Sequence, residues 1–250
     1  MTARFTPKLS DAATALALMT RIPVRATFER TSEATWAFPL AGLAVGLVAG
    51  AVATIAGWFG LGASLIAGFA LSALVITTGA MHEDGLADCA DGFWGGFEKL
   101  RRLEIMRDSR IGAYGVIALI LGLLIRFTAL SQLAHEDLIV TAMIAAALLS
   151  RAPLPALMML LPPARSDGLS VKTGRPPCEA AALALIVAFA LAWIVVGFVP
   201  AVIASAAIAG TAFAAARIAM TKIGGQTGDV LGATQVLCEI AALTAFTVLA

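Results

Sequence analysis

The sequence predicts an all-α fold, a polytopic membrane helix bundle of about six to seven transmembrane helices with an N-terminal interfacial or half-inserted helix. Three observations lead there. Hydrophobic residues fill 60% of the 250 positions, and the mean hydropathy is +0.93. Charged residues fill only 13%, against roughly 25% in an ordinary soluble domain. The apolar residues also fall in runs that match the about 20 helical residues needed to cross a hydrocarbon core about 30 Å thick.

Taken in chain order, residues 13–19 are apolar but too short to span. Pro23 and several charges follow them where a signal peptide would carry its cleavage context, so an interfacial helix is expected. Spans are then predicted at 38–58, 60–80, 113–133, 138–161, 180–199, 201–220 and 230–250. Gly60–Gly62 and Pro200 mark tight turns between neighbouring spans, and Cys238-Glu239 interrupts the apolar run of the last one. The polar stretches are too short to bury a core of their own, so residues 1–250 form a single membrane domain. Cys89, Cys178 and Cys238 make neither a CxxC pair nor a metal spacing and are read as small apolar residues.

Topology follows from the basic residues. They occur at 1–37 (Arg4 and Lys8 among them), at 99–110, at 165–175 and at 217–222, while the turns near 59–62, 134–137 and 199–201 contain no Lys or Arg. This alternation obeys the positive-inside rule and gathers residues 81–112, 162–179 and 222–229 on the cytoplasmic side. The net charge of +1 and the lack of a basic run with interleaved aromatics give no sign of a nucleic-acid partner.

Charge is concentrated in MHEDGLADCADGFWGGFEKLRRLEIMRDSRIG, residues 81–112. Asp84, Asp88 and Asp91 are four and three apart, so a helix sets them on one face. Like charges held together need a counter-cation or protons, and hard carboxylate oxygens suit Mg²⁺. The simpler reading is a solvated helix end. Arg101, Arg102, Arg107 and Arg110 follow, with planar forks suited to phosphate; topology alone would also explain them. His82 beside the acids is either structural or a general base. Glu83 and Glu98 point elsewhere on this reading, and Arg126, Arg151 and Glu239, inside spans, require buried partners.

A second constellation, KIGGQTGDVLGA at 222–233, offers Gln226 and Thr227 as neutral hydrogen-bonding groups and Asp229 as a further acid. It lacks the GK[ST] of a P-loop, so alone it is weak. The loop at 165–175 is polar and either covers a substrate or connects two helices.

The runs HEDGLAD at 82–88, Asp91-Gly92 and EIMRDSRIG at 104–112, with GGQTGDVLGA at 224–233, TRIPV at 20–24 and FPLAG at 38–42, together resemble the cobalamin synthase family, the adenosylcobinamide-GDP ribazoletransferases. The resemblance covers nearly the whole chain. It implies a multi-pass, Mg²⁺-dependent transferase in the bacterial inner membrane with its site facing the cytoplasm. Such an enzyme joins adenosylcobinamide-GDP to α-ribazole, or to α-ribazole 5′-phosphate, and releases GMP. The expected roles are metal binding by Asp84, Asp88, Asp91 and Asp229, and substrate binding by Arg107, Asp108, Ser109, Arg110, Gln226 and Thr227. His82, Asp84 or Asp88 would take the hydroxyl proton. Glu83, where an apolar residue is usual, and Cys89, where Thr is frequent, depart from the family pattern. Oligomerisation is left open. The alternatives are a CDP-alcohol phosphotransferase, whose ordered DG-AR-G-D-D spacing is missing, and a cation-coupled transporter, which would bury its acids at mid-membrane in broken helices.

Overall fold

The computed structural model describes residues 5–250; Arg4 lies outside the described residues. Among these, every regular element is helical. The order is α1 (Leu9–Met19), α2 (Thr31–Ala34), a 3₁₀ turn (Thr35–Ala37), α3 (Phe38–Trp58), α4 (Ala63–Thr78), α5 (Met81–Gly95), α6 (Lys99–Ile105) and α7 (Ala113–His135). There follow α8 (Ile139–Arg151), α9 (Leu154–Leu160), α10 (Leu169–Thr173), α11 (Cys178–Val196), α12 (Phe198–Ile223) and α13 (Gly228–Leu249). Six segments are long and apolar enough to cross a membrane: α3 with its lead-in, α7, α8 with α9, α11, α12 and α13. The pair α4–α5, bent by 86°, brings the number to seven if it is counted as one span.

Each of the seven expected runs is helical, six of them long and apolar enough to cross by themselves, and three differ in instructive ways. The run at 60–80 stops at Thr78, where Gly79 and Ala80 take left-handed conformations with φ of 66° and 57°. The amides of Gly79 and Ala80 close on the carbonyls of Ile76 and Val75, a Schellman-type stop that apolarity alone cannot reveal. A Cβ on Gly79 would also collide with the side chain of Arg21, whose own amide donates to the Thr77 carbonyl at 2.7 Å. The N-terminal TRIPV motif thus locks the break between α4 and α5. Secondly, the turn expected at Pro200 falls at Gly197, with φ of 86°, and Pro200 sits in the first turn of α12. A proline is tolerated there because that amide has no intrahelical partner in any case. Thirdly, the run at 138–161 divides at Ala152–Pro153 into α8 and α9 while still serving as one span.

Helix α8 is the almost wholly buried centre. It can lie against α3 because Gly42 and Gly46 face it: a Cβ on either would run into the backbone of Ala147 or Ile144. Small residues permitting close helix approach are the usual packing device inside a bilayer, where lipid removes the hydrophobic drive between helices. Short α1 does not span; Ala15 and Met19 pack with Phe38 of α3 and with Leu154, Leu157 and Met158 of α9. Asp11 accepts the indole N–H of Trp36 at 2.9 Å and secures this packing.

At mid-bundle, Arg126 of α7 is 2% exposed and bridges Glu83 of α5, at 2.8 Å, to Glu239 of α13, at 3.1 Å. Gln235 donates both to Glu239, at 2.9 Å, and to Ser150 of α8, at 3.0 Å. Arg126 and Glu239 therefore have the buried partners that the sequence required, and the Cys238-Glu239 interruption leaves α13 continuous.

Candidate active site

The four polar, basic segments meet at one end of the bundle. The Arg102 guanidinium donates to the carbonyls of Gly96, at 2.9 Å, and Lys222, at 2.8 Å. The Ala164 amide donates to the Gln226 carbonyl at 2.8 Å, and the Thr31 hydroxyl to the Thr173 carbonyl at 3.0 Å. The turns without Lys or Arg lie at the opposite end, where Leu133, Leu138, Val196 and Pro200 surround one apolar pocket.

Helix α5 carries the aspartates on one face, as their spacing predicts. Asp84 is exposed, Asp88 half-buried and Asp91 buried. The backbones of α5 and α13 touch at Gly85 and Asp229, where a Cβ on Gly85 would strike the Asp229 main chain. That contact sets Asp229 beside the α5 carboxylates. The field at Asp88 comes from Asp84, Asp229 and Asp91, opposed by Arg165. Arg165 reaches in from the loop after α9 and pairs with Asp229 at 3.3 Å. Arg107 pairs with Asp167 of the same loop.

Other expected site residues are occupied differently. Both oxygens of Asp91 accept backbone amides at the start of α7, from Gly112 at 2.7 Å and Gly115 at 2.9 Å. Asp91 therefore fixes the end of α5 against α7. Thr227 is fully buried; its hydroxyl caps α13 by accepting the Val230 amide at 3.3 Å and donates to Asp229 at 3.1 Å. Gln226 is buried with its Oε1 unpartnered, and its backbone bridges to Pro162–Ala164, which brings the Arg165 loop to the mouth of α13. His82 is 2% exposed and its Nε2 is sealed from solvent with no partner. Asp108, Ser109 and Arg110 are exposed. Arg110 folds onto Asp108 at 2.7 Å, and its side-chain hydrogen bonds hold the Asp108 carboxyl down at about 2.

Arg165 is the residue that sequence reading left aside. It appeared only as one more cation of a polar loop, because its partnership with Asp229 joins positions far apart in the chain. The pocket it lines, about 180 Å³, is also lined by His82, Asp84 and Asp229 and has Met19, Phe38, Leu154 and Met158 among its apolar walls. Among the described residues no three His, Cys, Asp or Glu side chains form a closed metal-binding group. The donors present, Asp84, Asp88 and Asp229, are hard oxygens in crowded anionic surroundings. They fit a cation such as Mg²⁺ that keeps water ligands and shares substrate phosphate oxygens.

Carboxylates from two helices and arginines from two loops, gathered at one end of a helical bundle, define a class: polytopic membrane proteins with a charged site at one end of the bundle. Within it, the chain belongs to the cobalamin-5-phosphate synthase family, which matches over residues 11–247. It is 46% identical over 246 residues to the adenosylcobinamide-GDP ribazoletransferase of Mesorhizobium japonicum, covering 94% of this chain and 92% of that one. The enzymes of the same name from Azorhizobium caulinodans and Bradyrhizobium diazoefficiens are 45% and 43% identical, over 94% of this chain and 94% and 92% of theirs. No solved structure matches the chain.

Proposed function

We propose that this chain joins adenosylcobinamide-GDP to α-ribazole, or to α-ribazole 5′-phosphate, releasing GMP and forming adenosylcobalamin or its 5′-phosphate. The observation that carries the reading is the meeting of Asp84, Asp88 and Asp229 with Arg165 and Arg107 at one end of a chain whose relatives share one name over nearly their whole length. In the reaction a ribazole hydroxyl oxygen attacks the phosphorus bonded to the cobinamide. A new P–O bond forms, the P–O bond to GMP breaks, and the hydroxyl proton leaves.

Asp84, Asp88 and Asp229 would hold Mg²⁺, which when bound supplies charge neutralisation of the diphosphate. Asp91 keeps these carboxylates in place through α7, and Thr227 orients Asp229. Arg165 and Arg107 neutralise phosphate oxygens after exchanging Asp229 and Asp167 for substrate. The proton passes to Asp84 or Asp88, the two α5 carboxylates open to solvent, while buried His82 lines the same pocket as Asp84. The positive-inside pattern and the bacterial relatives support an inner-membrane protein with this site in the cytoplasm.

The test is GMP release by purified protein supplied with both substrates. Activity should vanish with a chelator, return with Mg²⁺, and be lost in Asp84→Asn and Asp88→Asn variants that purify like wild type. Full activity in both variants, or with metal removed, would sink the assigned roles.

A further inference from the structure

The pocket beside the carboxylates is lined by both polar and apolar side chains, and the chemistry so far uses only the polar ones. Its apolar walls come from four separate elements: Met19 of α1, Phe38 of α3, Leu154 and Met158 of α9, and Leu231 of α13. All five side chains are buried. Its volume of about 180 Å³ is well below the roughly 300–1,000 Å³ of a pocket enclosing a drug-sized ligand, so it takes one part of a larger substrate. Two hydroxyls line it. That of Thr173 already donates to the Leu169 carbonyl at 2.9 Å, whereas that of Ser170 makes no hydrogen bond among the described residues.

We infer that these apolar walls hold the dimethylbenzimidazole base of the acceptor nucleoside, with Ser170 donating to the one ring nitrogen that carries a free lone pair. The inference rests on the transferase reading and extends it to the acceptor's subsite. The competing substrate parts fit poorly. Guanine presents a full edge of donors and acceptors, and these walls would leave most of them unpaired at a cost. A corrin macrocycle is far larger than the space. A fused apolar bicycle with two methyl groups and one acceptor matches both the walls and the single free hydroxyl. A base seated here shares its pocket with Asp84, Asp229 and Arg165, where the attacking hydroxyl is needed. Helix α1, which sequence reading gave no more than an interfacial place, then forms one wall of the acceptor site.

The test compares α-ribazole with benzimidazole riboside, which lacks the two methyl groups, in calorimetric binding without donor and in steady-state GMP release. Met158→Phe should narrow the pocket and weaken α-ribazole binding and raise its KM by roughly 10- to 200-fold, since one methylene in an apolar pocket is worth that much. Benzimidazole riboside should bind as before, and KM for adenosylcobinamide-GDP should stay unchanged. Leu154→Ala should also erode the preference for the methylated base, by removing wall contacts with its methyl groups rather than by adding bulk, and it keeps the test open where Met158→Phe does not fold. Ser170→Ala should weaken both nucleosides by roughly 2- to 13-fold. If the pocket variants leave both nucleosides unaffected, or change the KM of the donor instead, the assignment is overturned and the cavity belongs to lipid or to the donor. Wild-type protein that binds α-ribazole here yet never releases GMP would overturn the transferase reading while leaving the subsite standing.

Discussion

The arginines near the site differ in what their guanidinium groups already hold, and that difference sorts them. Arg101 is exposed and among the described residues pairs only with Glu104, at 3.1 Å on its own helix. Arg102 donates to two main-chain carbonyls and ties α6 to the end of α12, so it is a structural residue. Arg107 and Arg110 each hold one carboxylate, and Arg165 holds Asp229 at 3.3 Å and Asp167 at 3.9 Å; these are partners that a phosphate can replace. Lysine keeps the charge but loses the planar fork. Lysine at 107, 110 or 165 should therefore forfeit a charge-assisted contact of about 1.5–3 kcal/mol, roughly 10- to 150-fold in kcat/KM. Lysine at 101 should leave GMP release near wild type, and equal activity in all four variants would return these arginines to a topological role. The low value at Asp108 carries its own consequence. Its folded carboxyl lies at about 2, below the ordinary carboxylate range, so its link to Arg110 is complete above that range and is lost only as pH falls through about 2. Asp108→Asn should accordingly leave the shape of the activity profile unchanged above about pH 5, and an altered profile there would mean that Asp108 titrates in contact with substrate.

Among the elements, α5 depends most on its neighbours. It leaves α4 at 86° and carries Asp84 and Asp88, so its placement fixes the site. Three attachments hold it: Arg126 to Glu83, Asp91 to the start of α7, and the Gly85 contact with α13. Arg126 also holds Glu239, so one guanidinium ties together the two helices that supply the carboxylates. Arg151 of α8 is also buried and lies in the field of both acids, so two carboxylates face two guanidinium groups. Replacing Arg126 by methionine would leave one buried carboxylate in excess, a loss of about 3–5 kcal/mol. Adding Glu83→Gln to Arg126→Met, which leaves Glu239 facing Arg151, should recover most of that stability, because an uncompensated charge costs more than an absent pair. Unfolding of the detergent-solubilised protein measures both. A double variant no more stable than the single one would mean that specific hydrogen bonds, rather than charge balance, hold α5.

For the whole molecule, the convergence of the basic segments predicts sidedness. Cys178 is exposed and must first be replaced, whereas Cys89 and Cys238 are buried. Single cysteines at the exposed positions Lys99, Leu169 and Thr221 should then react with an impermeant thiol reagent only from the cytoplasm, and one at exposed Glu136 only from outside. Labelling of Lys99→Cys and Thr221→Cys from opposite sides would divide the proposed site across the membrane.

By itself the sequence determined the class and the layout. Seven apolar runs, the alternation of basic and neutral turns, and the spacing of Asp84, Asp88 and Asp91 are local properties, set by bilayer thickness and helical period, and a single chain displays them. Tertiary structure decided the rest. The stop at Gly79–Ala80 depends on the dihedrals there and on Arg21 lying against the turn. The use of Asp91 depends on where the first amides of α7 arrive. Arg165 became part of the site only through Asp229, and Glu83 became half of an ion pair only because α7 places Arg126 beside it. Hydrogen bonds and ion pairs join groups by distance in space, and nothing in the local pattern of a helix records which distant side chain will come within 3 to 4 Å of it.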